Sequence, residues 1–217
     1  MNKAKTILII SIVIILMIIL VSSRKNYFQK MPATTEDNST TTITKNKLSP
    51  KQIFISPINN ALSRITKKPF GIYISPTNSP ITPEKITGYH TGVDFETFPI
   101  EQNEDISIVA ICDGKLLEKK QARGYGGMII QSCSLEDSPI TIIYGHVRLS
   151  SVKNSIGEIL KTGNFLGFLG TGYSTETDGE RKHLHLGIHR GEKIDTRGYV
   201  QMESELENWI DIEEYLK

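Results

Sequence analysis

The stretch Lys182-His183-Leu184-His185-Leu186-Gly187-Ile188-His189 alternates polar and apolar residues, and the rest of the chain can be interpreted around it. Alternation with a period of two predicts a half-buried β-strand. Because residues i and i+2 of a strand point to the same face, His183 and His185 share one face, and the leucines beside them pack into a core. Two imidazoles on one face can bind a metal and reach the water on it, although an edge strand with two surface histidines would show the same pattern.

The charge of the chain is unevenly distributed. The 217 residues are enough for one domain with a buried core and a further segment. Residues 1–30 contain five basic residues and no acidic ones, so the formal charge of +1 leaves 20 basic against 24 acidic residues in the remainder. A mildly acidic domain without a basic stripe is a poor nucleic-acid binder, and we expect no nucleic-acid partner.

The N-terminal segment predicts a membrane helix. Residues 6–23 form 18 uncharged, mostly aliphatic positions with basic residues on both sides, which meets the lower length limit for spanning a bilayer. A secretory signal has the same layout, and Val21-Ser22-Ser23 could serve as its cleavage site. The long apolar run favours a retained anchor. We therefore expect residues 1–25 to be a signal-anchor with the remaining chain outside the cytoplasm, or secreted if this segment is cleaved.

A polar stretch separates this segment from the folded part of the chain. Residues 26–50 are rich in Thr and Ser and poor in apolar residues from Pro32 to Pro50. Such a composition cannot offset its ordering entropy by burial. We predict a flexible linker here, followed by one folded domain over residues 51–217.

The folded domain shows many short strands separated by turn residues, which is typical of a mostly antiparallel β fold. After Asp113-Gly114, a strong turn dipeptide, the chain could return as a paired strand. Residues 202–217 predict a short C-terminal helix, with Asp211 as a cap between two short turns. The predicted strands are Phe70–Ile74, Ile106–Cys112, Lys115–Lys120, Met128–Cys133, Ile140–Tyr144, Ile159–Leu160, Phe165–Leu169 and the stretch ending at His189.

A second group of potential metal ligands precedes these strands. His90 and Asp94 lie four residues apart, with Gly92 between them allowing a tight turn or a close backbone approach. Catalytic zinc commonly takes three protein ligands and keeps one position open for water. Two histidines and one carboxylate suit it and leave a site with a net charge of about +1, which can polarise a carbonyl and lower the pKa of bound water.

Three motifs together resemble the M23 metallopeptidases, the lysostaphin-like or LytM-type peptidoglycan endopeptidases. His90-Thr91-Gly92-Val93-Asp94 resembles the His-x-x-x-Asp motif of that family, His183-Leu184-His185 its His-x-His motif, and Tyr144-Gly145-His146 its Tyr-x-His element. The resemblance covers about residues 84–192. It implies an antiparallel β-sheet peptidase domain with a groove over one zinc site. Two turns also stand in the expected places: Asp113-Gly114 and Gly124-Tyr125-Gly126.

The resemblance also implies roles for five residues. His90, Asp94 and His185 would bind one Zn²⁺, while His146 and His183 would flank the attacking water, one as base and the other serving the tetrahedral intermediate or the leaving amine. The implied function is a zinc endopeptidase in which a zinc-activated water attacks amide carbonyls of bacterial peptidoglycan peptides. Two alternatives remain: a non-catalytic cell-wall-binding or hydrolase-activating module using the same groove, and a structural envelope protein. The complete set of five residues favours the enzyme.

The chain departs from the family pattern in two places. The loop Gly170–Lys182 is longer than the family's usual turn before the His-x-His motif. We expect this loop to line the groove, so the resemblance does not identify which peptide bond is cleaved. An arginine common shortly before the first zinc histidine is absent, and Tyr89 stands there instead. Residues 51–83 could cover the groove as an inhibitory segment. The sequence does not indicate an oligomeric state.

Three other residues have less specific interpretations. His189 should share the face of His185 at a greater distance from the metal, and we interpret it as a surface histidine. Cys112 and Cys133 could form a disulfide outside the cytoplasm, but buried thiols are slightly favoured because spacing does not supply the Cα distance of a bridge. Neither cysteine has a partner at metal-ligand spacing, so thiolate ligation of zinc is not expected.

Overall fold

Antiparallel β-sheets dominate the computed structural model, which describes residues 54–216. The helical elements within this range are α1 (Ala61–Arg64) and five short 3₁₀ helices, Pro99–Glu101, Leu149–Ser151, Thr175–Thr177, Glu203–Asn208 and Ile212–Glu214. The mainly β prediction is confirmed. The strands are β1 (Tyr73–Ile74), β2 (Gly88–His90), β3 (Gly92–Glu96), β4 (Ser107–Val109), β5 (Gly114–Ala122), β6 (Gly126–Leu135), β7 (Ser138–Gly145), β8 (Val147–Arg148), β9 (Ile159–Leu160), β10 (Phe165–Leu169), β11 (His183–Arg190) and β12 (Tyr199–Val200).

A six-stranded sheet in the order β3-β11-β7-β6-β5-β9 forms the centre of the fold. Two three-stranded sheets, β1-β2-β12 and β4-β10-β8, complete it. The strand β11 lies between β3 and β7, and its register sets His185 opposite Asp94 on one side and Gly145 on the other. The central position of β11 therefore brings parts of all three sequence motifs together.

Both faces of β11 are buried. Leu184, Leu186 and Ile188 belong to the main hydrophobic core, as the alternating pattern predicts. The histidine face is covered too, so residues 183–189 are all buried rather than forming a half-buried strand. Part of this cover is Trp209, whose ring packs edge-on against His189 with 5.0 Å between ring centroids.

The predicted pairing after Asp113-Gly114 is wrong, although both flanking segments contain strands. The strand β4 pairs with β10, whereas β5 pairs with β6 and β9. The dipeptide thus carries the chain from one sheet to another instead of closing a hairpin. Its Asp113 carboxylate accepts hydrogen bonds from Thr162 N and Lys161 Nζ, both at 2.8 Å, so the turn is fixed by a distant loop.

The preference for buried thiols is also wrong, because Cys112 and Cys133 form a disulfide with a Cα–Cα distance of 6.3 Å. Cys112 precedes β5, and Cys133 lies in β6. The buried amide of Gln131 donates a hydrogen bond to the Cys112 carbonyl oxygen at 2.8 Å, which holds the two segments side by side. This contact depends on the tertiary structure and leaves no local signal in the sequence.

The C-terminal segment forms two 3₁₀ helices in place of one α-helix. Trp209 forms an antiparallel bridge with His189, and Ile210 N donates to the Ile188 carbonyl oxygen at 2.9 Å. Because residues 209 and 210 are extended along β11, a continuous helix cannot form there. The predicted cap is confirmed, since Asp211 Oδ1 accepts a hydrogen bond from Glu213 N at 3.0 Å.

The predicted membrane segment (residues 1–25) and linker (residues 26–50) lie outside the described residues and stay predictions. Within residues 54–216, no helix combines the length and apolar character needed to cross a bilayer.

Candidate metal centre

Three side chains from three strands converge on one point. His90 ends β2, Asp94 lies in β3 and His185 lies in β11, and all three are buried. The distance from His90 Nε2 to His185 Nδ1 is 3.0 Å, and Asp94 Oδ1 lies 3.3 Å from the former atom and 3.1 Å from the latter. These are the three residues that the sequence predicts as metal ligands.

The spacing of these three atoms suits zinc. Tetrahedral zinc with metal–ligand bonds of about 2.0–2.1 Å places its ligand atoms roughly 3.3–3.4 Å apart. The observed separations of 3.0–3.3 Å are close to three corners of such a tetrahedron. Two imidazole nitrogens and one carboxylate oxygen are also donor types that zinc prefers. The residues present therefore fit a zinc ion with a fourth position left for water or substrate.

Outer contacts orient the first histidine. His90 Nδ1 lies 3.2 Å from the Pro69 carbonyl oxygen, so a proton on Nδ1 is donated there and the Nε2 lone pair faces the metal position. The Tyr199 ring stacks on the His90 ring, with 5.0 Å between centroids and an interplanar angle of 28°. The backbone of β12 pairs with β2 at these same two residues. Ring rotation of His90 is thus restricted on several sides.

The other two ligands are held in their metal-binding protonation states at neutral pH. Burial lowers the pKa of His185 to about 4, which keeps its imidazole neutral. Burial alone would raise the pKa of Asp94, but His183, His90 and hydrogen bonds outweigh burial and hold that pKa well below its usual value. A neutral imidazole and an ionised carboxylate are the forms that donate electron pairs to a metal.

His146 and His183 form a second pair beside the ligands, with 4.2 Å between their ring centroids. His183 Nδ1 lies 2.8 Å from the Arg181 carbonyl oxygen, and His183 Nε2 lies 3.3 Å from Asp94 Oδ2. Because a carbonyl oxygen only accepts, Nδ1 carries a proton, and a proton taken up on Nε2 would face the Asp94 carboxylate. Burial, followed by repulsion from His183, lowers the pKa of His146 well below its usual value, so this imidazole is neutral near pH 7.

The backbone of His146 adopts an unusual conformation. Its φ of 62° lies in the left-handed region, which is costly for a residue with a side chain. The main chain around it is fixed, because His146 N donates to the Tyr125 carbonyl oxygen at 3.0 Å and Gly170 N donates to the His146 carbonyl oxygen at 2.7 Å. These bonds maintain the strained geometry that directs the imidazole into the cleft.

Two glycines permit the close packing of the centre. A Cβ atom on Gly92 would lie 2.5 Å from the Leu186 carbonyl oxygen and 2.9 Å from the His185 ring. A Cβ atom on Gly145 would lie 2.5 Å from the Tyr125 ring. The sequence interpretation of Gly92 as a site of close backbone approach is therefore confirmed.

A cleft of about 150 Å³ opens onto the centre. The loop Gly170–Lys182 contributes Glu180 and Arg181 to its wall, as predicted. Lys68, another lining residue, donates from Nζ to Glu84 Oε2 at 2.7 Å and to Tyr199 Oη at 3.1 Å. The residues lining the cleft are Lys68, Glu84, Ile86, Asp94, Arg123, Gly124, Tyr125, His146, Glu180, Arg181, His183, His185, Thr196, Gly198 and Tyr199.

His189 is buried and not a surface histidine, so that interpretation is wrong. It is 7% exposed, and its Nε2 lies 4.0 Å from Asp195 Oδ2 while its ring contacts Trp209. Burial lowers its pKa. His189 does lie outside the ligand cluster, as predicted, because only His90, Asp94 and His185 form that cluster among the described residues.

Sequence reasoning missed the contributions of Arg181, Lys68 and Tyr199. Arg181 Nη2 donates to Asp94 Oδ2 at 2.8 Å, and Tyr199 stacks on His90. The position of Arg181 two residues before His183 was a possible signal. Lys68 and Tyr199 carried no signal, because the contact between them joins segments 131 residues apart.

The chain is similar to one family model and to several solved structures. Residues 88–196 match the family model for peptidase family M23. Similar solved structures include LytU (20% identity, 70% of this chain and 90% of that chain covered, TM-score 0.45) and the lysostaphin catalytic domain from Staphylococcus simulans (23%, 67% and 95%, 0.45). A zinc-containing peptidase from Vibrio cholerae shares 19% identity over 68% of this chain and 41% of its own, with a TM-score of 0.41. No curated protein matches the sequence significantly.

Proposed function

The chain belongs to peptidase family M23, whose model matches half of its length, and from this premise we propose that it is a zinc-dependent endopeptidase acting on peptides of bacterial peptidoglycan. One observation carries the proposal. Ligand atoms of His90, Asp94 and His185 lie 3.0–3.3 Å apart, beside the two further imidazoles of His146 and His183. A binding module has no chemical need for that second pair of imidazoles.

The proposed ligands would hold one zinc ion. Zinc bound by His90, Asp94 and His185 would supply a Lewis acid that polarises the scissile carbonyl and lowers the pKa of water. The protein supplies the ligand geometry, in which the β3–β11 register fixes Asp94 opposite His185. It also supplies burial, which strengthens the electrostatic interactions at the reacting carbonyl.

The two remaining histidines would move protons. His183 Nε2 can accept a proton because Nδ1–H is donated to the Arg181 carbonyl oxygen at 2.8 Å, which supports His183 as the base. His146 Nδ1 is buried without a hydrogen-bond partner in the described part of the chain. We assign His146 to the carbonyl oxygen or the leaving amine of the substrate, where an imidazole proton would stabilise developing charge.

The cleft and the N-terminal segments support a substrate outside the cytoplasm. A cleft lined by both acidic and basic side chains suits a peptide more than an apolar ligand. We propose that residues 1–25 anchor the chain and residues 26–50 tether the peptidase domain where peptidoglycan lies. The family resemblance supports peptidoglycan peptides as the substrate, with the cleaved bond to be identified by experiment.

The test is release of peptides from purified peptidoglycan by the full-length protein in detergent, measured by mass spectrometry. Zinc-loaded protein, chelated protein and the His183→Ala variant are compared. The matched control is His189→Gln, which alters a buried histidine on the same strand face outside the ligand cluster. We expect new amine ends only with zinc and with His183 present, and their masses identify the bond.

A different result would contradict the proposal. If folded, zinc-loaded protein releases no peptide yet sediments with peptidoglycan, a non-catalytic cell-wall-binding module is the better description. In that case, removal of zinc by a chelator and the His90→Ala substitution would change the amount of protein that sediments with peptidoglycan, and no peptide would be released.

A further inference from the structure

Arg181 is a buried cation between two carboxylates, directly beside the proposed metal ligands. It is 7% exposed and lies in the loop that leads into β11. Arg181 Nη2 donates to Asp94 Oδ2 at 2.8 Å, and Arg181 Nε lies 2.9 Å from both carboxylate oxygens of Glu96. Nη2 also forms an ion pair with Glu96 Oε1. The guanidinium therefore joins Asp94 and Glu96 through charge-assisted hydrogen bonds.

These contacts divide the two oxygens of Asp94 between different partners. Oδ1 lies 3.3 Å from His90 Nε2 and 3.1 Å from His185 Nδ1, and so belongs to the ligand triangle. Oδ2 instead accepts from Arg181 at 2.8 Å and lies 3.3 Å from His183 Nε2. A carboxylate without such a partner can bind a metal with both oxygens. The bond from Arg181 opposes rotation of Oδ2 towards the metal position.

Glu96 explains how an arginine can lie so close to a metal site. Asp94 and Glu96 are two residues apart on β3, so their side chains share one face. Two buried carboxylates repel each other, and the Arg181 charge between them compensates for that repulsion. Because Glu96 balances the guanidinium, the negative charge of Asp94 stays available to a cation. Lys67 Nζ, 3.5 Å from Glu96 Oε2, is a more exposed contact at the edge of this group.

The backbone of Arg181 acts on the second part of the centre. Its carbonyl oxygen accepts the Nδ1–H of His183 at 2.8 Å, which fixes the tautomer of that imidazole. One residue thus contacts both a proposed ligand through its side chain and a proposed proton-transfer group through its main chain.

We propose that Arg181 is a positioning residue that keeps Asp94 coordinating zinc through one oxygen, with Glu96 as its counter-ion. This inference rests on the zinc site of the proposed function. Its consequence is that one coordination position stays open for water and substrate, since a two-oxygen carboxylate would occupy it. The effect belongs to the metal site itself and is measurable without substrate.

The experiment uses cobalt(II) in the full-length protein, because visible absorption of cobalt distinguishes four-coordinate from five-coordinate sites. We expect the intense bands of a four-coordinate ion in the wild type and weaker, five-coordinate bands in Arg181→Met and Glu96→Gln. Zinc affinity, measured by competition with a chromophoric chelator, should fall about 10–100-fold in Arg181→Met. With peptide substrate, kcat should fall more than KM rises.

Two further variants make the result specific. Arg148→Met removes an arginine that also contacts two carboxylates, Asp105 at 2.7 Å and Glu176 at 3.4 Å, but lies outside the ligand set, and it should keep the wild-type cobalt spectrum. Arg181→Lys keeps the charge but lacks the planar fork that joins two carboxylates. We expect the cobalt spectrum of Arg181→Lys to lie between those of the wild type and Arg181→Met. If Arg181→Met does not fold, Arg181→Lys is the variant that tests the proposal.

The proposal would be overturned if Arg181→Met kept the cobalt bands and the zinc affinity of the wild type. If only Arg181→Lys folds, the same result in that variant would overturn it. A rise in KM alone would instead make Arg181 a substrate-binding residue. Failure of the proposed function is distinguishable, because a wild type that binds cobalt in four-coordinate form without cleaving peptide contradicts only the peptidase. A wild type that binds no cobalt contradicts both.

Discussion

The hydrogen bond from His183 Nδ1 to the Arg181 carbonyl oxygen leaves Nε2 as the nitrogen that we propose accepts a proton. His185, two residues later on the same face of β11, instead directs its own Nδ1 at the ligand triangle. Neighbouring residues of the same type therefore have different proposed roles because their ring orientations differ. The sequence alone identifies the pair, and hydrogen bonding assigns the roles.

These roles predict different effects of removing each imidazole. We expect His183→Ala to lower kcat by about 10²–10⁴-fold, the usual contribution of a general acid–base group, while one zinc ion remains bound. His185→Ala should lose the zinc together with the activity. Metal content by atomic emission and peptide hydrolysis on the same samples check this. Zinc loss from His183→Ala alone would reverse the assignment.

Close packing at Gly145 predicts a stability effect. Gly145→Ala should destabilise the fold by about 1–3 kcal/mol, the usual cost of overpacking, because the added Cβ lies 2.5 Å from the Tyr125 ring. Gly187→Ala is the control, since its Cβ would meet no atom closer than 3.4 Å. Urea unfolding of both variants measures the difference. Equal losses would argue against a packing constraint at Gly145.

At the scale of elements, the ion pair between Lys68 and Glu84 closes one wall of the cleft. Lys68 Nζ and Glu84 Oε2 lie 2.7 Å apart, with side chains only 4% and 6% exposed. The Glu84 carboxylate also accepts hydrogen bonds from Ser79 Oγ and from Ile86 N. One carboxylate thereby orders the segment between β1 and β2, which precedes the first metal ligand.

This arrangement predicts a pH dependence of stability. Burial would raise the pKa of Glu84, but Lys68 and the hydrogen bonds outweigh burial, and the pKa lies below its ordinary value of 4.5. The folded state thus binds this proton less readily than the unfolded state. The stabilisation is present above the unfolded pKa and is lost as pH falls through the lower folded pKa. Glu84→Gln should flatten the fall in unfolding free energy as the pH drops below the ordinary glutamate value of 4.5.

Chemical unfolding at several pH values measures that slope. Glu180→Gln is the control, because Glu180 lines the same cleft and has no ion pair in the described part of the chain. An identical slope in wild type and Glu84→Gln would mean that other carboxylates dominate acid unfolding.

At the scale of the whole molecule, the disulfide between Cys112 and Cys133 joins the segment before β5 to β6, across 21 residues of sequence. Disulfides persist in oxidising compartments, which agrees with the proposed position of the domain outside the cytoplasm. The bridge is absent from the set of residues lining the cleft. Its contribution should therefore concern stability and not the reaction.

We expect the double variant Cys112→Ala/Cys133→Ala to lose about 2–4 kcal/mol of unfolding free energy and to keep zinc binding. Thermal and urea unfolding measure the loss, and reduced wild-type protein should show a similar one. A double variant as stable as the oxidised wild type would mean that the bridge does not constrain the unfolded chain. Loss of zinc would instead reveal coupling between β6 and the metal centre.

The sequence by itself determined which face of β11 bears the histidines and which three residues could form a ligand set. Strand periodicity is a local property, and so are the short motifs whose resemblance to the M23 family implied His90, Asp94 and His185 as ligands before any fold was known. Only the tertiary structure decided the pairing of Cys112 with Cys133, the extended path of Trp209 along β11, and the contact of Arg181 with Asp94 across 87 residues. Each of these contacts joins segments distant along the chain, where neither periodicity nor spacing carries information about which segments meet.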